Sequence, residues 1–330
     1  MTEMVILEPT LDCNLTCPMC DRSMELRKRA FDTPRLSPTE YIAAVRTLLG
    51  PGKDFYISGG EPTVWPGIVE LCRAILVSGA KVVLQTNGTK PEIVSKLLAI
   101  GVNEFNLSID GPESVHDSIR GTGSYRLMCE TVAAISASPK GHYVTTTVLS
   151  NYNLTSVDGI FASFRRDRIV PTMMIFELAR LFDAETIHIS AKLADCEIQD
   201  VPVRVTPSRN FDFPLENLER VVAGIEHRSR SYRRRIMFLP TNLPEQIKMY
   251  YNYQSRNGVE KVRCRHRDTL RIDPEANVIP CFTIRTPIGN LLREDRETIT
   301  RKSVLFWDQL EEKNLAPVCD TCFRLTDVRQ

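Results

Sequence analysis

The chain has 330 residues, 42% hydrophobic and 25% charged, with 42 Lys and Arg against 41 Asp and Glu for a formal net charge of +1. That length supports one large core with a smaller appended unit, and the near-zero charge removes the global basic field that would favour nucleic acid or an anionic membrane surface. The opening MTEMVILEPTLD lacks a basic segment followed by an apolar one, and no run of about 18 apolar residues occurs anywhere, so a cytoplasmic enzyme without a membrane span is expected.

Ten cysteines in a reducing compartment point to metal or redox chemistry rather than to a disulfide framework. The first three stand in LDCNLTCPMCDRS, as Cys13, Cys17 and Cys20, with the spacing C-x3-C-x2-C. Asn14, Pro18 and Asp21 are turn formers, so a loop wrapped around something is expected here. A structural zinc site wants four Cys or His ligands, and the first histidine is His116. An iron–sulfur cube held by three thiolates keeps one iron open to an outside ligand, which makes the missing fourth cysteine a functional feature. A zinc knuckle completed from elsewhere, or plain thiols, remains the alternative at this point.

Downstream, apolar runs, turns and helical periods repeat. DFYISGGEP follows a helix-like segment at 38–49, AKVVLQTNG follows one near 67–78, EFNLSIDGP follows one near 91–100, and HYVTTTVLS and ETIHISAKL come later. Strands alternating with helices predict right-handed βαβ units and a parallel sheet or barrel. Phe105, Leu107 and Ile109 share one strand face and Asn106, Ser108 and Asp110 the other. The same split sets Val82 and Leu84 against Gln85 and Asn87, Phe55 and Ile57 against Tyr56 and Ser58, and Ile187 and Ile189 against His188 and Ser190. The apolar faces should pack on helices, and the polar faces should line a chamber at the strands' C-terminal ends. Gly59 and Gly60 let a ligand approach the backbone, and Glu61 can accept from an ammonium group. Taken alone, Gly59 to Pro62, Asn87-Gly88 and Asp110-Gly111-Pro112 are equally well turns.

The set C-x3-C-x2-C, SGGEPT, QTNGT and LSIDGP, in this order after successive strands, resembles the radical S-adenosylmethionine superfamily. The resemblance covers residues 4–191 and implies an α/β fold, a partial (β/α)6 TIM-like barrel. It implies that Cys13, Cys17 and Cys20 ligate a [4Fe–4S] cluster whose open iron chelates S-adenosylmethionine. One electron then cleaves that cofactor to methionine and a 5′-deoxyadenosyl radical, which abstracts a substrate hydrogen. By motif, Gly59, Gly60 and Glu61 would hold the methionyl amine, Asn87, Ser108, Asp110 and His188 would lie at the cofactor edge, and Arg120 in HDSIRGTGSY would partner the carboxylate.

Cys72 and Cys129 sit in helical patterns beside apolar neighbours and are expected to be buried structural thiols. Cys196 follows ETIHISAKL, read as the sixth strand, and some members of that superfamily use such a thiol to return a hydrogen atom to a substrate radical. Residues 196–263 form a connecting, substrate-side segment with one expected helix, PLENLERVVAGIEHRSRSYRRR, ending in five arginines within 228–235. Such a run is ordinarily a solvated face, yet arginine forks also suit an anionic substrate or a leader peptide.

The remaining cysteines are Cys264, Cys281, Cys319 and Cys322. LRIDPEANVIPCF is expected to be a hairpin turning at 273–277. By count alone, a four-cysteine zinc ribbon competes. Beside the first cluster, residues 264–330 resemble the superfamily's C-terminal twitch extension, a hairpin plus helix akin to the longer SPASM version, which implies one auxiliary [4Fe–4S] cluster. Residues 1–195 are then the barrel. The expected activity is net oxidation of a small polar metabolite such as an aminocyclitol, sugar or nucleoside, with flavodoxin or ferredoxin carrying electrons. The chain starts almost on its first strand, with no room for an N-terminal peptide-recognition domain, which favours that reading over ribosomal-peptide epimerisation or cross-linking. A non-catalytic zinc-ribbon or electron-transfer protein is the third alternative.

Overall fold

The computed structural model describes residues 4–20, 36–157, 159–178, 214–232, 235–239, 244–245, 247–248, 262–282, 284–285, 287–312 and 325–327. Six strands follow the expected alternation: β1 (Met4–Leu7), β2 (Asp54–Ile57), β3 (Lys81–Thr86), β4 (Glu104–Ser108), β5 (His142–Leu149) and β6 (Met173–Leu178). Between them lie α1 (Pro38–Val45), α2 (Ile68–Val77), α3 (Pro91–Ala99), α4 (Glu113–Arg120), α5 (Ser124–Ala137) and α6 (Gly159–Arg166). All neighbours from β1 to β6 pair in parallel, as crossover connections require. The start of α1 obeys local rules: Ser37 caps it, with Glu40 completing a reciprocal capping box and Pro38 in the first turn.

Alternation divides the sheet by chemistry. Phe55, Ile57, Val82, Leu84, Phe105, Leu107 and Ile109 are buried in one core with Leu71, Ile75, Val94, Leu97, Met128 and Val132 of the helices. The opposite face carries a hydrogen-bonded row in which Tyr56 Oη donates to Gln85 Oε1 at 2.7 Å, Asn106 Nδ2 to Tyr56 Oη at 3.0 Å, and Thr146 Oγ1 to Asn106 Oδ1 at 2.8 Å. The expected two-sidedness of β2 to β4 is therefore present.

The sixth strand is a correction. It is Met173–Leu178, whereas ETIHISAKL lies outside the described residues, so Cys196 does not directly follow the sixth strand. Its first four residues, MMIF, are apolar on both faces, with Met174 and Phe176 in the core and Met173 and Ile175 opposite, so they lack the polar contrast that marks a half-buried strand. After α7 (Leu215–Tyr232), β7 (Arg235–Leu239) adds to β6 in parallel.

The hairpin forms where expected, from β9 (Thr269–Ile272) and β10 (Asn277–Ile279). The Asp273 carboxylate closes its turn by accepting from the Glu275 and Asn277 amides and from Asn277 Nδ2, and Ala276 adopts a positive φ of 61°. What the sequence does not announce is that β9 also pairs in parallel with β1, so the hairpin and β11 (Gly289–Asn290) extend the same ten-stranded sheet. A separate antiparallel pair joins β8 (Val262–Cys264) to β12 (Leu325–Asp327), and α8 (Arg296–Glu312) lies between them in sequence.

Candidate active site at the C-terminal strand ends

Beyond β1 the chain runs as Glu8 to Asp12 alongside the end of β2. The Gly60 amide donates to the Thr10 carbonyl at 2.8 Å and the Glu61 amide to the Asp12 carbonyl at 2.7 Å. A Cβ on Gly60 would overlap the carbonyls of Leu11 and Asp12, and one on Gly59, at φ +127°, would overlap that of Thr10. The two glycines thus seat the loop that leads into the cysteines. This is a backbone approach made by the chain itself.

That loop sets Cys13 and Cys20 near enough to Cys17 for their charges to act on it, and none of the three is in a disulfide. The turn after β3 holds it: Asn87 Nδ2 donates to Asn14 Oδ1 at 3.0 Å and lies 4.0 Å from Cys13 Sγ, while Asn14 Nδ2 donates to Thr89 Oγ1 at 2.8 Å. Burial pushes the Cys17 thiol up to about 11; Arg120 opposes this, and Cys20, Asp110 and Cys13 add to it. Thiols gathered in this way ionise together only when positive charge arrives, which an iron–sulfur core supplies, so the donor set fits such a cluster. Among the described residues, no three His, Cys, Asp or Glu side chains converge on a single metal ion.

Glu61 is buried, and its carboxylate is fully engaged within the chain. Oε1 accepts from the Thr63 amide at 3.0 Å, Thr63 Oγ1 at 2.6 Å and Thr86 Oγ1 at 2.7 Å, and Oε2 from the Asn87 amide at 2.7 Å. It fastens the end of β2 to the end of β3. Burial raises its pKa against the pull of these donors.

Asp110, past the end of β4, is wholly buried and accepts from Arg120 Nε at 2.6 Å and from the Val148 amide at 3.0 Å. Arg120 is therefore not a solvent-facing loop arginine: its side chain, at the C-terminal end of α4, is 10% exposed. Among the described residues no group accepts from its two Nη atoms, and its charge acts on Cys17 and Cys20. The Asp110 amide donates to His116 Nδ1 at 3.3 Å, and burial holds the His116 pKa down at about 4, so the ring is neutral. Ser108 is buried on the polar face of β4.

On the C-terminal side, Cys264 Sγ accepts from the His266 amide at 3.4 Å and Cys281 Sγ from the Ile284 amide at 3.0 Å. Arg267 forms ion pairs with Asp308 and Glu311 of α8. Leu325 of β12 pairs with Cys264. His188, Cys196, Cys319 and Cys322 lie outside the described residues. Cys72 is buried in α2 as expected, whereas Cys129 in α5 is only half-buried, and burial raises both thiols. Sequence reasoning missed Asn14, Thr86 and Thr89, although each stands beside a motif residue, and Glu8, Arg271 and Arg285, for which no local signal exists.

Residues 7–163 match the Radical SAM superfamily. The chain is 35% identical over 166 residues to the AdoMet-dependent heme synthase of Methanosarcina barkeri (strain Fusaro / DSM 804), a match covering 48% of this chain and 46% of that protein. It is 27% identical over 289 residues to the probable GTP 3′,8-cyclase of Pyrococcus horikoshii, covering 86% of this chain and 84% of that one. Among solved structures, native anSMEcpe with bound AdoMet superposes with a TM-score of 0.62 at 15% identity, covering 92% of this chain and 82% of that chain. The likeness extends to the mixed α/β fold with its parallel sheet.

Proposed function

We propose, from the match of residues 7–163 to the Radical SAM superfamily, that the chain reductively cleaves S-adenosylmethionine and abstracts a hydrogen atom from a substrate. When bound, a [4Fe–4S] cluster supplies the electron for that cleavage, and the resulting 5′-deoxyadenosyl radical takes the hydrogen. Cys13, Cys17 and Cys20 would hold the cluster. The Nη edge of Arg120 would take the cofactor's carboxylate, and the main chain at Gly59 and Gly60 would face its amine. Glu61, Asn87 and Asp110 act here by holding the loop, the turn and the arginine. Ser108 and His188 would lie at the cofactor edge, and Cys196 would return a hydrogen atom to the substrate radical only in the alternative, redox-neutral epimerase reading. The observation that carries this reading is the meeting of the three thiols, the Gly59-Gly60 seat and the Asp110–Arg120 pair at one end of the sheet.

The C-terminal region is proposed to be a twitch-type unit binding an auxiliary [4Fe–4S] cluster through Cys264, Cys281, Cys319 and Cys322. In support, Cys264 sits opposite Leu325, three residues after Cys322 in sequence. Four thiolates leave such a cluster no open iron, so its task would be to accept an electron from the substrate radical and pass it to flavodoxin or ferredoxin, giving net oxidation. The hydrogen-bonded row of Tyr56, Gln85, Asn106 and Thr146 favours a small polar substrate such as an aminocyclitol, sugar or nucleoside. The other half of that face favours a second reading. Val144, Met173, Ile175, Met237 and Leu239 pack with Phe282 into an apolar patch, which suits a peptide side chain. Anaerobic iron analysis tests the two-cluster reading: about eight irons per chain support it, and about four with stoichiometric zinc would remove the auxiliary cluster.

A further inference from the structure

Glu8 lies one residue past β1, fully buried, between two arginines from the far end of the chain. Its Oε1 pairs with Arg271 Nη1, and its Oε2 accepts from Arg285 Nη1 at 2.9 Å. Its amide donates to the Ile272 carbonyl at 2.8 Å, continuing the β1–β9 ladder. Glu8 is five residues before Cys13, and Arg285 four residues after Cys281. Leu270 and Ile272 point into the helix-covered core, so Arg271 between them lies on the opposite face. Asp273 and Glu275 of the hairpin also act on Arg285. One dehydrated carboxylate thus draws in two guanidinium groups, one from β9 and one from the loop after Cys281. Without it the two guanidinium groups would lose the dehydrated carboxylate they share.

We propose that Glu8 is the positioning residue that couples the two cysteine-bearing segments, fixing the Cys281 loop against the strand that launches Cys13 and setting the charge between them. The coupling itself needs no bound group. Only the electrochemical part of its test rests on the two-cluster reading. A shape-filling role would make the loop order depend on Glu8 but not the sign of a charge effect. A coupling role requires both, because the same carboxylate orients the arginines and offsets part of their charge.

The test uses the full chain, purified anaerobically with its clusters, as wild type, Glu8→Gln and Arg285→Gln. Hydrogen exchange of residues 269–285 is expected to be about tenfold or more faster in Glu8→Gln, with 81–108 unchanged. In EPR-monitored titrations, Glu8→Gln removes a negative charge and should raise a cluster's midpoint potential, whereas Arg285→Gln removes a positive one and should lower it. If Glu8→Gln does not fold, Arg285→Gln still carries both readouts. Unchanged exchange at 269–285, or shifts of the same sign in both variants, would overturn the proposal. Wild-type protein with about four irons and a single EPR signal would overturn the two-cluster reading instead, and exchange alone would then decide the coupling.

Discussion

Arg120 reaches back from the end of α4 to donate its Nε–H to Asp110 Oδ2 at 2.6 Å, and its charge acts on Cys17 and Cys20 of the cysteine loop. A planar fork can serve two anions at once, one at Nε and one at the Nη pair. A lysine ammonium cannot reproduce both. Arg120→Lys is therefore expected to keep most of the stability while S-adenosylmethionine affinity, measured by anaerobic calorimetry, falls about tenfold. Arg120→Met leaves Asp110 buried without its cation and should cost about 3 to 5 kcal/mol in a urea titration. Unchanged affinity in Arg120→Lys would take the carboxylate role away from this residue.

Glu61 receives four donors and is 2% exposed. An amide in its place turns an NH2 toward at least one of those donors. Glu61→Gln is expected to lose about 2 to 3 kcal/mol of unfolding free energy. A loss below about 0.5 kcal/mol would show that these bonds do not hold β2 to β3.

Gly60→Ala places a methyl against the carbonyls of Leu11 and Asp12, backbone atoms that cannot rotate aside. The loop must then leave its seat. The variant should lose more than about 3 kcal/mol of stability and most of its iron, measured by denaturation and metal analysis. Gly52→Ala, whose added Cβ meets nothing within 4 Å, is the control, expected to suffer only from its φ of +73° and to retain iron.

Much of this site was legible because its chemistry is local. Cys13, Cys17 and Cys20 fall within eight residues, and the turns after β2, β3 and β4 carry their own glycines and polar groups. The alternation of Phe105, Leu107 and Ile109 announced a half-buried strand. The sixth strand was missed because Met173 to Phe176 is apolar on both faces. The burial of Arg120 depends on the fold bringing Asp110 beneath the end of α4, and the Glu8–Arg271 pair joins residues 263 apart in sequence, for which no periodicity gives a sign. That the two glycines also seat the cysteine loop was not legible, because only the assembled loop shows that its own carbonyls occupy their Cβ positions.

The hairpin turn should make stability depend on pH. Burial raises Glu275 to about 7, and the negative charge of Asp273, itself raised by burial, adds to the shift. A carboxyl whose pKa rises on folding from 4.5 to about 7 holds its proton more tightly in the folded chain. Its contribution is thus fully present below the unfolded value and is lost as the pH rises through about 7. Melting temperatures taken from pH 5 to pH 8 should fall more steeply for wild type than for Glu275→Gln. Parallel curves would place this carboxyl outside the linkage.

The most direct measurement of the central claim is 5′-deoxyadenosine formation by the anaerobically reconstituted, reduced protein given S-adenosylmethionine. Wild type should yield 5′-deoxyadenosine and methionine, and Cys17→Ala, lacking one of the three thiolates proposed to hold the cofactor-binding cluster, should yield neither. Cys319→Ala should still cleave the cofactor. Cleavage by Cys17→Ala at the wild-type rate, or none by wild type with its iron fully loaded, would contradict the assignment of Cys13, Cys17 and Cys20.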